Sequence, residues 1–230
     1  TEAVFYPPKD MIFYQADMQG KLLLGQRIRA MKLICEGEGG TIVTTMDGLM
    51  NVLPGLDSWK KHVISISAEQ VLKLTPLRAD LVRMGYEFAQ SVTAPGEFSI
   101  RGSIVDIYPF TEDNPVRIDL WDEEVDSVKY FDVDSQRSIS DVDSINIYPA
   151  KEFVVSDAVK RMGIDRLRAE YEETYARLKR QEMWEEATNL QKNVGSFIDE
   201  LEGGVIPENI LASMKYFGEE GQSLIDYMPE

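Results

Sequence analysis

The sequence predicts an α/β chain in three segments, and three observations carry that prediction. A β-α-β-α rhythm fills residues 1–55, short strand candidates with short connections crowd residues 97–148, and a long charged helix starts at Asp157. Charge divides the chain in the same places. Residues 1–75 are neutral, residues 76–150 carry −9 and residues 151–230 carry −7, out of −16 in all. The expected segments are an α/β layer over 1–72, a small α+β domain over 73–152 with an antiparallel sheet plus helix, and a helical return segment over 153–230. The chain begins at Thr1 without a Met and stops just after an apolar stretch, which suggests a piece cut from a larger protein.

Each element has a local reason. Val4-Phe5-Tyr6 reads as a strand stopped by Pro7-Pro8. Lys21 to Glu36 sets Leu22, Leu23, Ile28, Leu33 and Ile34 near helical spacing, with Gly37 as C-cap. Thr41-Ile42-Val43-Thr44-Thr45 is a β-branched run that predicts a buried strand. Asp47 is placed to cap a short helix ending before Pro54-Gly55. Thr75-Pro76 opens another helix, which Gly85 ends. Strands are expected at Glu97–Tyr108 with a bulge or bend at Arg101-Gly102, at Val116–Trp121, at Val125–Phe131 and at Ser144–Tyr148. The last helix is expected to reach about Lys192, with Ile164, Leu167, Tyr171, Leu178, Trp184 and Leu190 as its apolar positions, before a break at Gly203-Gly204.

Composition excludes several classes. The 43% hydrophobic and 10% aromatic content is that of a globular chain with a real core. One cysteine, Cys35, allows no internal disulfide or cysteine-based zinc site, and one histidine, His62, allows no histidine pair. Cys35 reads as buried and inert, His62 as a surface residue beside Lys60-Lys61. No apolar run approaches the ~20 residues that cross a bilayer. No signal peptide opens the chain, so a cytoplasmic location is expected. The acidic balance disfavours a grip on nucleic acid, which needs clustered cations.

Candidate chemistry is sparse. No G-x-x-x-x-G-K-[ST] phosphate loop occurs, and Gly37-Glu38-Gly39-Gly40 reads as a helix-to-strand turn whose Glu38 would repel phosphate. Asp132, Asp134, Asp141 and Asp143 lack the glycine and glutamate spacing of a calcium loop. Asp122, Glu123 and Glu124 are adjacent, so they do not converge as an acid/base pair. Arg101 and Arg117 lie in strand candidates of an acidic segment. From the residues alone they read first as local salt bridges and second as an anchor at a protein interface.

Several long stretches then become recognisable. They are Pro95-Gly96-Glu97-Phe98-Ser99-Ile100-Arg101-Gly102-Ser103-Ile104-Val105-Asp106-Ile107-Tyr108-Pro109, Pro115-Val116-Arg117-Ile118-Asp119-Leu120-Trp121-Asp122-Glu123-Glu124-Val125-Asp126-Ser127, Phe131-Asp132-Val133-Asp134-Ser135-Gln136-Arg137-Ser138 and Pro149-Ala150-Lys151-Glu152-Phe153. Tyr6-Pro7-Pro8-Lys9-Asp10, Thr41–Leu49 and Leu224–Pro229 accompany them. Together they resemble the transcription-repair coupling factors, the Mfd family, over nearly the whole chain and least over 160–215. The related nuclease subunit UvrB carries a DNA-clamping hairpin after the region of Phe13-Tyr14, and this chain leaves no room for one.

The resemblance implies a UvrB-like module: a degenerate helicase-like (P-loop-type) layer with the small α+β domain inserted, missing its first strands. It implies recruitment of UvrA for nucleotide excision repair where RNA polymerase has stalled. It implies no catalysis and no cofactor here, with ATP, Mg, DNA and polymerase handled by other parts of the parent translocase. Carried over by motif, the UvrA contact falls on Arg101, Arg117 and Asp119, which reverses the order of readings for the two arginines. Ser99 stands where UvrB often has a second arginine, and Phe88 where many relatives have one. These departures bear on the strength of the contact. A DNA-binding module and an ATPase fragment of the UvrB family are the alternative readings.

Overall fold

A computed structural model describes residues 2–9, 18–37, 39–203 and 207–228. Contacts group the chain into two compact units, one formed by residues 1–154 with 222–230, the other by residues 155–221.

In the first unit, β1 (Glu2–Tyr6) pairs in parallel with β2 (Gly40–Thr44), and α1 (Met18–Glu36) makes the crossover between them. Gly37 ends α1 at φ +66, a conformation that glycine adopts without a Cβ clash. The β-branched run of β2 predicts burial, yet Phe5 and Val43, paired across the two strands, are exposed. Among the described residues this sheet has two strands, and the face that carries Phe5 and Val43 is open. Thr45, not Asp47, caps α2 (Met46–Met50), because its hydroxyl accepts from Gly48 N at 3.1 Å. The short helix α3 (Leu56–Lys60) and strand β3 (Ile64–Ser67) follow, both missed by pattern because each is too brief to show a period.

Helix α4 (Leu74–Arg83) carries Thr75-Pro76 in its first turn and gives way to Gly85 at φ +94. A six-stranded sheet then forms in chain order: β4 (Glu87–Phe88), β5 (Glu97–Arg101), β6 (Ile104–Ile107), β7 (Val116–Trp121), β8 (Glu124–Phe131) and β9 (Ser138–Val142). The expected strand Glu97–Tyr108 is a hairpin instead. Its break is a two-residue turn, with Gly102 at φ +62 in the first position that such turns reserve for glycine. The candidate at Ser144–Tyr148 is not part of this sheet. As β10 (Ser144–Ile147) it pairs antiparallel with β3 in a separate two-stranded ribbon.

One face of the six-stranded sheet is apolar. Phe98, Ile107 and Val116 form one cross-strand row, and Val105, Ile118 and Val128 form the next. They share a single core with Leu77 and Leu81 from α4, Met84 just after it, Ile28 and Met31 from α1, and Trp59. Truncating one such side chain, Leu81→Ala, removes about 2–5 kcal/mol.

Ion pairs seat α1 on the acidic domain. Lys21 reaches Glu87 at 3.0 Å, Lys32 reaches Glu112 at 3.0 Å, and Arg29 reaches Asp113 at 3.1 Å and donates to Phe110 O at 2.7 Å. Deeper in, Arg27 donates from Nε to Glu152 Oε1 at 2.7 Å and from Nη1 to Pro7 O at 2.6 Å and Asn51 Oδ1 at 2.9 Å. Its Nη2 lies 2.6 Å from Oε1 without the angle of a hydrogen bond, so Nε carries that link. Lys9 closes on Glu152 Oε2 at 2.7 Å. Burial alone would raise the Glu152 carboxyl, but Arg27 and Lys9 outweigh it and hold it below the usual carboxylate range.

In the second unit, Ser156 caps α5 (Asp157–Arg180) through Val159 N at 3.3 Å. The single helix expected to Lys192 ends twelve residues sooner, where Glu182 adopts φ +58. No glycine or proline announces that turn in the sequence. After it come α6 (Trp184–Leu190), a π-helical turn over Gln191–Gly195, and α7 (Ser196–Glu202), which stops at Gly203. A 3₁₀ segment, Glu208–Phe217, packs on α5, where Gly163 lets the Phe217 ring approach. The region of Phe13-Tyr14, Glu38 of the glycine-rich turn, and Gly204 lie outside the described residues. No helix among the described residues is long and apolar enough to cross a membrane.

Candidate functional site: the polar face of the six-stranded sheet

Alternation puts every second residue of these strands on the face opposite the core. Register then fixes the neighbours. Ser99, Asp106, Arg117 and Lys129 make one row across β5, β6, β7 and β8, and Arg101, Ile104, Asp119 and Ser127 make the next. In sequence, Arg101 and Arg117 lie on successive strand candidates. In the sheet β6 lies between them, and it supplies the group that joins them.

That group is Asp106, whose side chain is 1% exposed. Arg101 Nη2 donates to Asp106 Oδ2 at 2.6 Å. Arg117 forks onto the same carboxylate, Nε to Oδ1 at 2.7 Å and Nη2 to Oδ2 at 2.9 Å. The Arg117 guanidinium also lies over the buried Phe131 ring, 4.4 Å from its centroid, and bonds to Gln136 O at 3.4 Å and Oε1 at 3.2 Å. The hydrogen bond to Asp106 raises the Arg117 pKa above its already high ordinary value, so its charge is permanent. Asp119 accepts from Ser127 Oγ and Lys129 Nζ, each at 3.1 Å, rather than from either arginine.

The five predicted residues are therefore placed unequally. Arg101, Arg117 and Asp119 share one face, and Arg101 is its more open cation, with 47% of the side chain exposed against 17% for Arg117. Ser99 shares the face but is covered: it is 1% exposed, and its hydroxyl donates to Gln90 O at 3.1 Å. Phe88 lies apart. It pairs in register with Phe98, hence on the core face, and stacks edge-on against that ring at 5.6 Å with Arg78 over it at 4.9 Å.

Two residues of the face carry a signal that pattern reading passed over. Asp106 is the one acid in the apolar strand Ile104-Val105-Asp106-Ile107, an expensive position without a cationic partner. Trp121 follows Arg117 and Asp119 at two-residue steps and is 81% exposed at the tip of the β7–β8 hairpin. A large aromatic left in water on a face that also carries arginines is a composition that interfaces concentrate.

Other candidates gather no site. Asp122, Glu123 and Glu124 line the same hairpin tip, exposed and not convergent. Asp132 Oδ1 accepts from Ser135 N at 2.8 Å, which uses it as a turn cap. Among the described residues no three His, Cys, Asp or Glu are placed to hold a metal ion. Cys35 is half-buried rather than buried, and burial pushes its thiol up to about 11. The glycine-rich turn follows the C-terminal end of α1, the negative end of a helix, whereas phosphate is held at N-terminal ends.

Known proteins are similar to this chain across the region of the sheet. The family model of the UvrB interaction domain matches residues 64–153, which take in the whole six-stranded sheet. A transcription-repair-coupling factor of Bacillus subtilis (strain 168) is 34% identical over 227 residues, 99% of this chain and 19% of the relative. A transcription-repair-coupling factor of Staphylococcus epidermidis (strain RP62A) is 33% identical over 180 residues, 78% of this chain and 15% of the relative. One from Staphylococcus aureus (strain bovine RF122) is 31% identical over 169 residues, 74% of this chain and 14% of the relative. The chain thus spans no more than a fifth of the length of these relatives. Residues 64–153 match the UvrB interaction domain model, within a chain that is similar along its length to one part of the transcription-repair-coupling factors.

Proposed function

We propose that this chain is a recruitment module for nucleotide excision repair, and that the polar sheet face binds UvrA. The observation that carries the reading is the convergence of Arg101, Arg117 and Trp121 on one face of a sheet that matches the UvrB interaction domain. Arg101 and Trp121 supply the exposed guanidinium and aromatic that anchor protein interfaces, while Asp119 and Lys129 set a charge register beside them. In this reading Ser99 acts behind the contact by covering the sheet, while Phe88, 51% exposed, lies at the β4 edge of the sheet, on its other face.

The layer made by β1, α1 and β2 is read as a degenerate helicase-like layer without catalysis of its own. In the parent protein, other parts translocate on DNA with ATP and Mg and displace stalled RNA polymerase in the cytoplasm. The test is titration of purified UvrA into the chain by calorimetry, with Arg101→Glu, Arg117→Glu and Trp121→Ala alongside and a thermal melt of each. The reading expects binding by the wild type and loss in Arg101→Glu at a temperature where its melt shows the variant still folded. No heat with wild-type chain, or full binding by all three variants, would remove it.

A further inference from the structure

We propose that Asp106 is a positioning residue of the recognition face: it aims Arg101 at the partner and makes Arg117 the support that keeps it there. The inference rests on the reading of this face as a UvrA surface and divides the labour within it.

Counting donors separates the two arginines. A guanidinium has about five N–H groups. Four from Arg117 point inward, two to Asp106 and two to Gln136, and its plane is covered below by Phe131. Little of Arg117 remains to meet a partner. Arg101 bonds through Nη2 alone, and its Nε and Nη1 make no hydrogen bond among the described residues. Arg101 is therefore the contact, and its open donors fit a carboxylate on the partner.

Charge gives the same division. Asp106 alone beneath Arg101 would cancel much of its attraction for an acid. Arg117 neutralises Asp106 through the bidentate fork, so the surplus positive charge of the trio rests on Arg101. Fixing that guanidinium before binding also lowers the entropy lost when it docks. A buried carboxylate in an apolar strand is thereby explained by what it holds rather than by contact of its own.

The test uses Asp106→Asn, which keeps the shape and removes the charge. In the free wild-type chain, ¹⁵N–¹H spectra should show Arg101 with slowed guanidinium rotation, and Asp106→Asn should average those signals. With UvrA, Asp106→Asn should weaken binding about tenfold, and the double variant with Arg101→Ala should bind no more weakly than Arg101→Ala alone, since coupled residues are not additive. Losses that multiply, or an unchanged affinity in Asp106→Asn, would overturn the proposal. Asp106→Glu, which keeps the charge, should recover part of the affinity and serves if Asp106→Asn does not fold. If wild-type chain fails to bind UvrA, the recruitment reading falls and the spectra alone decide the positioning. Arg101 signals unaltered by Asp106→Asn would then overturn it.

Discussion

Two of the arginine–carboxylate contacts in the first unit, at Glu152 and at Asp106, differ in which partner is buried. At Arg27 and Glu152 both side chains are buried, 3% and 4% exposed, and every neighbour is fixed: Lys9, Pro7 O, Asn51 and the Tyr6 ring. At Asp106 only the carboxylate is buried, and the guanidinium of Arg101 emerges into water. The chemistry is the same and the use is opposite. A closed pair fixes α1 and the strand β1 against the end of the interaction domain, whereas a half-open one leaves directional donors for another molecule. Burial of both partners makes removal of either costly, because an unpaired charge stays behind. Exposure of one makes its removal cheap for the fold.

The comparison breaks first at Arg27. Arg27→Ala should destabilise the unit by about 3–5 kcal/mol, since Glu152 would remain buried with only Lys9. Urea unfolding measures it, and a loss below about 1 kcal/mol would mean that the cluster relaxes into water. Next comes Arg101→Glu. It should weaken UvrA binding at least thirtyfold, on the order of 2 kcal/mol. Arg101→Ala, which brings no like charge to the buried Asp106 carboxylate and leaves the Arg117 fork in place, should change stability by no more than about 0.5 kcal/mol.

Acid sharpens the contrast more gently. The folded-state pKa of Glu152 is depressed, so its contribution to stability is present above the unfolded carboxyl value and is lost as pH falls through the folded one. Wild-type stability should therefore fall between about pH 5 and the depressed value, and Glu152→Gln should start lower and fall less over that window. Parallel pH profiles for the two would sink this assignment. The smallest expected effect is on duplex DNA. The net −9 of residues 76–150 should leave no measurable shift in an anisotropy titration near physiological salt, and micromolar affinity would favour the DNA-module reading.

Much of this was legible in the sequence for reasons that particular residues display. Val116–Trp121 alternates strictly, so its bounds and its two faces follow from period two, and Gly37 and Gly85 mark helix ends because the chain must turn left-handed there. The arginines stood out as cations in an acidic segment. Pattern failed where the cause is tertiary. Nothing local says that β6 intervenes between β5 and β7, since the Gly102 turn looks like a bulge until the strands pair. Nothing local turns Phe88 to the core face, which depends on its parallel register with Phe98. The end of α5 at Arg180 rests on a left-handed glutamate without a sequence signal. Asp106 was visible only as an acid in an apolar strand, and its meaning required both partners.

The most direct measurement pairs the two clusters. Arg27→Ala and Arg101→Ala are each melted and each titrated with UvrA, at a temperature where both remain folded. The account predicts that Arg27→Ala melts early and binds as the wild type does, while Arg101→Ala melts as the wild type does and binds weakly. Loss of both properties together in Arg101→Ala, or of affinity in folded Arg27→Ala, would contradict it.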